Sequence, residues 1–199
     1  LLTAYWKEFK GNNDVGLLLK VYKENFSDKE SYDIVNDIIA WKKDLNQDHY
    51  PKVYLYTKEL SRMELLRFHA TGDCFVSAHR GEGWGIPIVE SMLMGKPVIS
   101  TNLGGVHEYI PRDCGYLVDY SFVNVFNMNF VPWYDETQKW AQVNIDDLRA
   151  KMRYVYENRT EAKMVGERAR NFVMGEFNYK SIGHRMKLRL EEIQKANQK

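Results

Sequence analysis

Cysteine is nearly absent from this 199-residue chain: only Cys74 and Cys114 occur, each in or beside an apolar run. Two such residues build no disulfide framework and have no metal-ligand spacing, which fits a reducing, cytoplasmic compartment. No apolar run approaches the ~18 residues that a membrane-spanning helix needs. The start, Leu1-Leu2-Thr3-Ala4-Tyr5-Trp6, has no initiator Met and no signal-peptide layout. It reads as a chain entered in mid-helix. There is no Asp-x-Asp pair or His cluster, so no metal site is expected, and no internal repeat or interdomain linker. A large excess of one charge is also lacking: 28 Lys and Arg face 27 Asp and Glu, for a net +1. Nothing global therefore points to nucleic acid. Charge is unevenly placed, however, with twelve Lys or Arg against six Asp or Glu from Lys151 onward. Two readings stay open here: a solvated helical surface, or one that meets anionic lipid at the inner membrane face or an acidic partner.

What is present is a chain long enough for one domain with a full core, read as a single unit over residues 1–199. Leu1 to Phe9 reads as the end of a helix, closed by Gly11-Asn12-Asn13. Short apolar runs at 15–21, 52–57, 74–77, 97–100 and 116–118 read as strands, the first of them buried. Helices are expected at 27–45, from the Ser61-x-x-Glu64 capping box to about Ala70, and at 87–94, with Pro87 in its first turn and Gly95 past its end. Strand–helix alternation of this kind implies an α/β fold, a parallel sheet covered by helices on both faces. Residues 119–141 read as an irregular aromatic stretch (Tyr120, Phe122, Phe126, Phe130, Trp133, Tyr134, Trp140). Helices at 145–157, 160–174 and 179–196 close the chain, and Ile182, Met186, Leu190 and Ile193 give the last one an apolar stripe expected to pack on the sheet.

The chemistry concentrates in Gly81-Glu82-Gly83-Trp84-Gly85-Ile86-Pro87-Ile88-Val89-Glu90. In an open parallel sheet, ligands bind beyond the carboxyl ends of strands, where the loop after 74–77 lies. Its glycines let backbone approach a ligand, and the following helix offers N–H groups and a partial positive charge suited to phosphate. Glycines alone could be structural, and one glutamate alone could be a solvated surface residue. Two carboxylates eight positions apart around such a turn favour a ligand with both phosphate and hydroxyls. His79 is read evenly between ligand contact and packing. Trp84 walls the pocket or packs in the core, Cys74 is a core residue, and His107 and His184 are surface or packing residues.

The run Ser77-x-His79-Arg80-x-Glu82-Gly83-Trp84-Gly85-Ile86-Pro87-x-x-Glu90-Ser91-Met92-x-x-Gly95-x-Pro97-Val98-Ile99-Ser100-Thr101 resembles the signature of the family 4 retaining glycosyltransferases, whose E-x7-E motif matches Glu82 and Glu90. Gly104-Gly105-x-x-Glu108 resembles that family's following Gly-Gly segment. The resemblance implies a Rossmann-like domain, the C-terminal half of the two-domain GT-B fold. It implies a nucleotide-sugar donor as substrate, no cofactor and no divalent metal. By position, Glu82 takes the catalytic place and contacts the transferred sugar, while Gly83, Trp84, Gly85 and Ile86, with Arg80 assisting, contact sugar and diphosphate. Glu90 grips the ribose, and the nucleobase lies around Tyr56 to Leu60. Retention in this class proceeds by same-face attack with the leaving phosphate as base, so neither glutamate need be a nucleophile. A glycosidase-like acid and nucleophile pair is the other reading of the two carboxylates.

That family's phosphate clamp includes an Arg and a Lys shortly before a Leu-Leu-x-Ala-Tyr helix, which Leu1 to Tyr5 matches. The resemblance therefore implies that the clamp, the first strand and the N-terminal domain that binds a glycan or lipid-linked acceptor lie outside this chain. An exposed sheet edge and no transferase activity of the chain alone are then expected. Two other functions stay open: a non-catalytic module that binds sugar nucleotide or protein, and a GT-B epimerase or hydrolase.

Overall fold

The computed structural model describes residues 1–128 and 131–197, with the Glu108 side chain outside the description. Its elements run α1 (Leu2–Glu8), β1 (Gly16–Lys20), α2 (Asp28–Leu45), β2 (Lys52–Tyr56), α3 (Arg62–Thr71), β3 (Phe75–Ser77), α4 (Ile86–Leu93), β4 (Val98–Thr101), α5 (Gly105–Tyr109) and β5 (Tyr116–Val118). An antiparallel pair, β6 (Tyr120–Asn124) and β7 (Lys139–Val143), follows. The chain closes with α6 (Ile145–Glu157), α7 (Arg159–Glu176) and α8 (Tyr179–Ala196). The expected α/β architecture is present, with parallel strands flanked by helices. The strands pair as two parallel groups, β1-β2 and β3-β4-β5.

Side-chain alternation on β4 explains the layering. All four of its residues are buried. Ile99 joins Val118, Tyr5, Trp6, Leu148 and Met152 in one apolar cluster, and so packs against α1 and α6. Val98 joins Ile88, Met92, Val106, Ala169 and Val173 in a second, against α4, α5 and α7. Successive residues of a strand face opposite sides, so one short strand supports two cores. Glu8 fastens α1 to α6 by meeting Arg149 at 3.0 Å and Arg153 at 2.7 Å.

Local signals explain several boundaries. Ser61 and Glu64 form the reciprocal capping box that starts α3. Ser27 caps α2 by accepting from the Glu30 N–H. Gly95, just past α4, has φ +70°.

Three expectations need correction. β1 is half-buried rather than buried. Among the described residues β2 is its hydrogen-bonded neighbour, so an apolar run here does not mean cover on every side. Residues 119–141 are not simply irregular. Tyr120 and Phe122, two positions apart, share one face of β6 with rings 5.3 Å apart, and alternation of that kind is a strand signal. Phe130, part of that aromatic stretch, lies outside the described residues. Finally, the α8 stripe does not pack on the sheet: Met186 and Leu190 are 61% and 64% exposed, and no residue of α8 is buried. Helical period shows that an apolar face exists, not that this chain covers it.

Gly166 of α7 lies so close to the Gly95 carbonyl that a Cβ there would overlap backbone. In an open helix interior Gly→Ala stabilises by about 1 kcal/mol. Here the sign should reverse, with Gly166→Ala costing about 1–3 kcal/mol through overpacking. Urea unfolding measures this, and a midpoint at or above that of the unaltered protein would refute the close packing of α7 on the end of α4.

Candidate functional site

The loop between β3 and α4 is braced from behind. Gly104, at φ +71°, and Gly105 press on the backbone of Glu82 and Gly83, and a Cβ on either would overlap a carbonyl oxygen of that loop. The Gly105 N–H donates to the Glu82 carbonyl at 3.4 Å. Tyr109 of α5 donates its hydroxyl to the Trp84 carbonyl. The Trp84 ring packs on Tyr109 and Phe177, at 4.6 and 5.1 Å between centroids, and stays 44% exposed. It therefore has one packed face and one open face. Burial, and then the nearby Glu82 charge, push the Tyr109 phenol above its ordinary value, so it remains a donor.

Glu82 turns its Oε1 onto the Gly85 N–H at 3.0 Å. Gly85, at φ +73°, is the N-cap of α4. The first motif carboxylate thus shapes the turn and takes up the Gly85 donor. Among the described residues the N–H groups of Gly83 and Trp84 have no acceptor. Ile86 is exposed at the helix start. The α4 terminus accordingly presents donors and partial positive charge on the strand-end side of the sheet.

Glu90, on the second turn of α4, is 8% exposed. Its Oε1 is paired with the Arg62 guanidinium, while its Oε2 is enclosed and has no hydrogen-bond partner among the described residues. Arg62 opens α3, directly after the Tyr56–Leu60 connection, so the ion pair joins that segment to α4. Tyr56 is partly exposed and packs on Phe68, with ring centroids 6.2 Å apart. Leu60 is half-buried.

Arg80 is held against the β6–β7 arm. Its guanidinium sits 4.0 Å from the Trp140 ring centroid and 4.7 Å from that of Phe126. Its carbonyl accepts from Ala141 N–H at 2.9 Å. The β6–β7 arm is thereby attached two residues before Glu82. His79 is a packing residue in this arrangement, its ring bridging Ser77 at 3.2 Å and the Leu103 carbonyl at 3.3 Å. His107 meets Asn102 at 2.7 Å.

Burial pushes the Cys74 and Cys114 thiols up to about 12 and about 11. Neither is an activated nucleophile. Among the described residues no group of three or more His, Cys, Asp or Glu converges, and no helix is long and apolar enough to cross a membrane.

Sequence reasoning did not single out Arg62, Glu30 or Lys20. Glu30 accepts from the backbone N–H groups of Lys23, Glu24 and Asn25 and so organises the loop after β1. Burial opposes its charge, but these donors prevail and hold its carboxyl below the usual range. Lys20, the last residue of β1, has an enclosed amine without a hydrogen-bond partner among the described residues, 4.5 Å from the Phe26 ring centroid. For Arg62 a signal was available: a cation at the first helical position opposes the helix dipole.

The layered fold matches C-terminal domains of GT-B glycosyltransferases. The C-terminal domain of LpcC, a glycosyl transferase group 1 family protein from Francisella tularensis, superposes with a TM-score of 0.55 at 14% identity, over 90% of this chain and 94% of that one. Alr3699/HepE from Anabaena, solved in complex with UDP, gives 0.54 at 18% identity over 81% of this chain and 38% of that one. Residues 28–126, which include Glu82, Glu90 and the Gly104-Gly105 pair, match the family described as glycosyl transferases group 1. Residues 28–126 are thus similar to a glycosyltransferase domain of that group. Over 73 residues it is 33% identical to sulfoquinovosyl transferase SQD2 of Arabidopsis thaliana, covering 37% of this chain and 14% of that protein. The chain thus spans less than half the length of the SQD2 and HepE chains.

Two outcomes check this geometry. Gly105→Ala should displace the 82–85 loop and cost about 1–3 kcal/mol of stability, and unchanged urea unfolding would contradict the backbone packing. His69 lies beside Ser91, 3.4 Å from its hydroxyl, with its ring stacked on Phe75. Burial lowers its pKa, Glu90 opposes that, and Arg62 adds to it. With the folded value below the ordinary one of about 6.5, the unfolded chain takes up the proton first. His69 therefore contributes full stability above about pH 6.5, and the contribution declines as pH falls toward the folded value. Unfolding free energies at pH 7.5 and 5.5 should differ more in the unaltered protein than in His69→Asn.

Proposed function

We propose that this domain binds the nucleoside-diphosphate-sugar donor of a retaining glycosyltransferase that moves a hexose-type sugar to a glycan, lipid or other acceptor. The observation that carries the reading is the pairing of a glycine-braced loop at the α4 N-terminus with a buried carboxylate, Glu90, whose Oε2 is unfilled. A diphosphate suits the first and a ribose hydroxyl suits the second. The UDP held by the HepE structure supports a nucleotide donor.

In this reading the Gly83 and Trp84 N–H groups and the helix N-terminus take the diphosphate. They stabilise the negative charge that develops on it as the glycosidic bond breaks. Arg80 adds positive charge on the approach to the loop. Glu82, with one oxygen on Gly85, offers the other to the sugar hydroxyls. The exposed face of Trp84 walls the sugar, and the nucleobase lies against Tyr56 to Leu60. The leaving phosphate acts as the base for attack on the same face, and no resident metal or cofactor takes part. Acceptor recognition and the remaining phosphate cations come from outside residues 1–199, so the chain alone does not complete a turnover. The protein works in the cytoplasm, and its basic closing helices bring it to an anionic membrane surface or partner.

Titration calorimetry with a panel of sugar nucleotides, made on the protein in its full natural context, tests the reading. One or more donors should bind. Glu90→Gln should weaken binding tenfold or more with little change in melting temperature. Glu82→Gln should weaken sugar nucleotides while sparing the bare nucleoside diphosphate. Absence of binding to every donor would refute the proposal in favour of a scaffold, and product analysis without acceptor would reveal an epimerase or hydrolase.

A further inference from the structure

Resting on the donor-site reading above, we infer that Arg62 is a positioning residue. It holds one oxygen of Glu90 so that the other, Oε2, is presented to a ribose hydroxyl of a nucleoside diphosphate. Three independent features meet at this pair. First, Glu90 is a carboxylate with a 10% exposed side chain, and an isolated buried charge is strongly disfavoured unless it is paired. Arg62 supplies that pairing on Oε1 only. Second, Oε2 is enclosed and lacks a partner among the described residues. Its neighbours do not fill it: the Ser91 hydroxyl donates to the Pro87 carbonyl at 2.8 Å, and His69 Nδ1 lies 3.4 Å from that hydroxyl. A buried acceptor without a partner, beside one that is paired, calls for a further donor such as a ligand hydroxyl. Third, Arg62 stands at the first position of α3, where the dipole disfavours a cation. Its side chain is 60% exposed overall, yet its guanidinium reaches inward to Glu90. The local helix gains nothing from a cation there, whereas the neighbouring carboxylate does.

The pair also ties the Tyr56–Leu60 connection to α4. The segment assigned to the nucleobase and the residue assigned to the ribose are therefore held as one unit. Loss of Arg62 frees the Glu90 carboxylate to turn toward solvent or to approach His69, and Oε2 is no longer aimed.

A thermodynamic cycle tests this on the protein in its full natural context. Whichever of UDP, GDP or ADP binds most tightly is titrated alongside its 2′,3′-dideoxy counterpart. The probes are applied to the unaltered protein, Arg62→Met, Arg62→Lys and Glu90→Gln. In the unaltered protein, loss of the ribose hydroxyls should weaken binding about tenfold or more, as for a hydrogen bond to a charged group. In Arg62→Met overall affinity should fall, and the hydroxyl penalty should shrink to about threefold or less. Arg62→Lys should restore much of it. A merely structural role would lower affinity for both probes equally and leave the penalty intact, and that result overturns the inference while the donor reading stands. Far-UV circular dichroism and melting temperature confirm folding. Should Arg62→Met unfold, Arg62→Gln takes its place in the cycle. If the unaltered protein binds none of the three diphosphates, the donor reading falls and the inference falls with it.

Discussion

Backbone packed directly on backbone is the constraint from which the site follows. Where Gly104 and Gly105 meet Glu82 and Gly83, no side chain intervenes, so the position of the loop is set by main-chain contact and not by a rotamer. The loop in turn sets where α4 begins, and α4 carries Glu90 inward. Tyr109 and Phe177 close the rear of the same assembly through Trp84. The second apolar cluster, which contains Ile88, Met92, Val106 and Tyr109, is therefore both the core of one layer and the foundation of the loop. Stability and site geometry are one property here, because loosening that cluster moves the loop.

Electrostatics divides the site into two parts of different character. At the loop, the positive end of a helix and unpaired N–H groups supply a diffuse attraction. At Glu90, a localised negative charge is balanced on one oxygen only. On the proposed reading, a ligand that carries negative charge at one end and hydroxyl donors at the other fits both parts in one orientation. Reversing the ligand would set its phosphates against Glu90, a like-charge arrangement that is unfavourable in a partly buried setting. On that reading the arrangement encodes polarity as well as affinity.

The parts of this fold that were legible in the sequence are those set by neighbours in the chain. Pro87 and Gly95 bracket α4, Ser61 and Glu64 start α3, and the Glu82–Glu90 spacing places the two carboxylates around one turn. Features set by distant residues were hidden. Arg62 is 28 positions from Glu90, and nothing local announces the pair beyond a cation where an anion is favoured. Helix α5 has only five residues, too few for a periodic signal. The β6–β7 pair was obscured by the long connection between its strands. Burial was the least legible property: β1 and α8 each have the apolar content of a covered element, yet cover depends on what other surface arrives there.

The attachment of the β6–β7 arm has a consequence for solution conditions. Arg80 is held by two aromatic rings and by its own carbonyl, with a single 3.4 Å side-chain contact to Gln142. None of these contacts involves a carboxylate. Dissolved ions weaken attraction between exposed opposite charges, but they have little hold on a guanidinium packed against aromatic rings or on an amide hydrogen bond. Glu90, by contrast, depends on Arg62, whose side chain as a whole is 60% exposed. Raising the ionic strength should therefore leave the arm in place while weakening the Arg62–Glu90 pair, so the two attachments differ in their tolerance of brine.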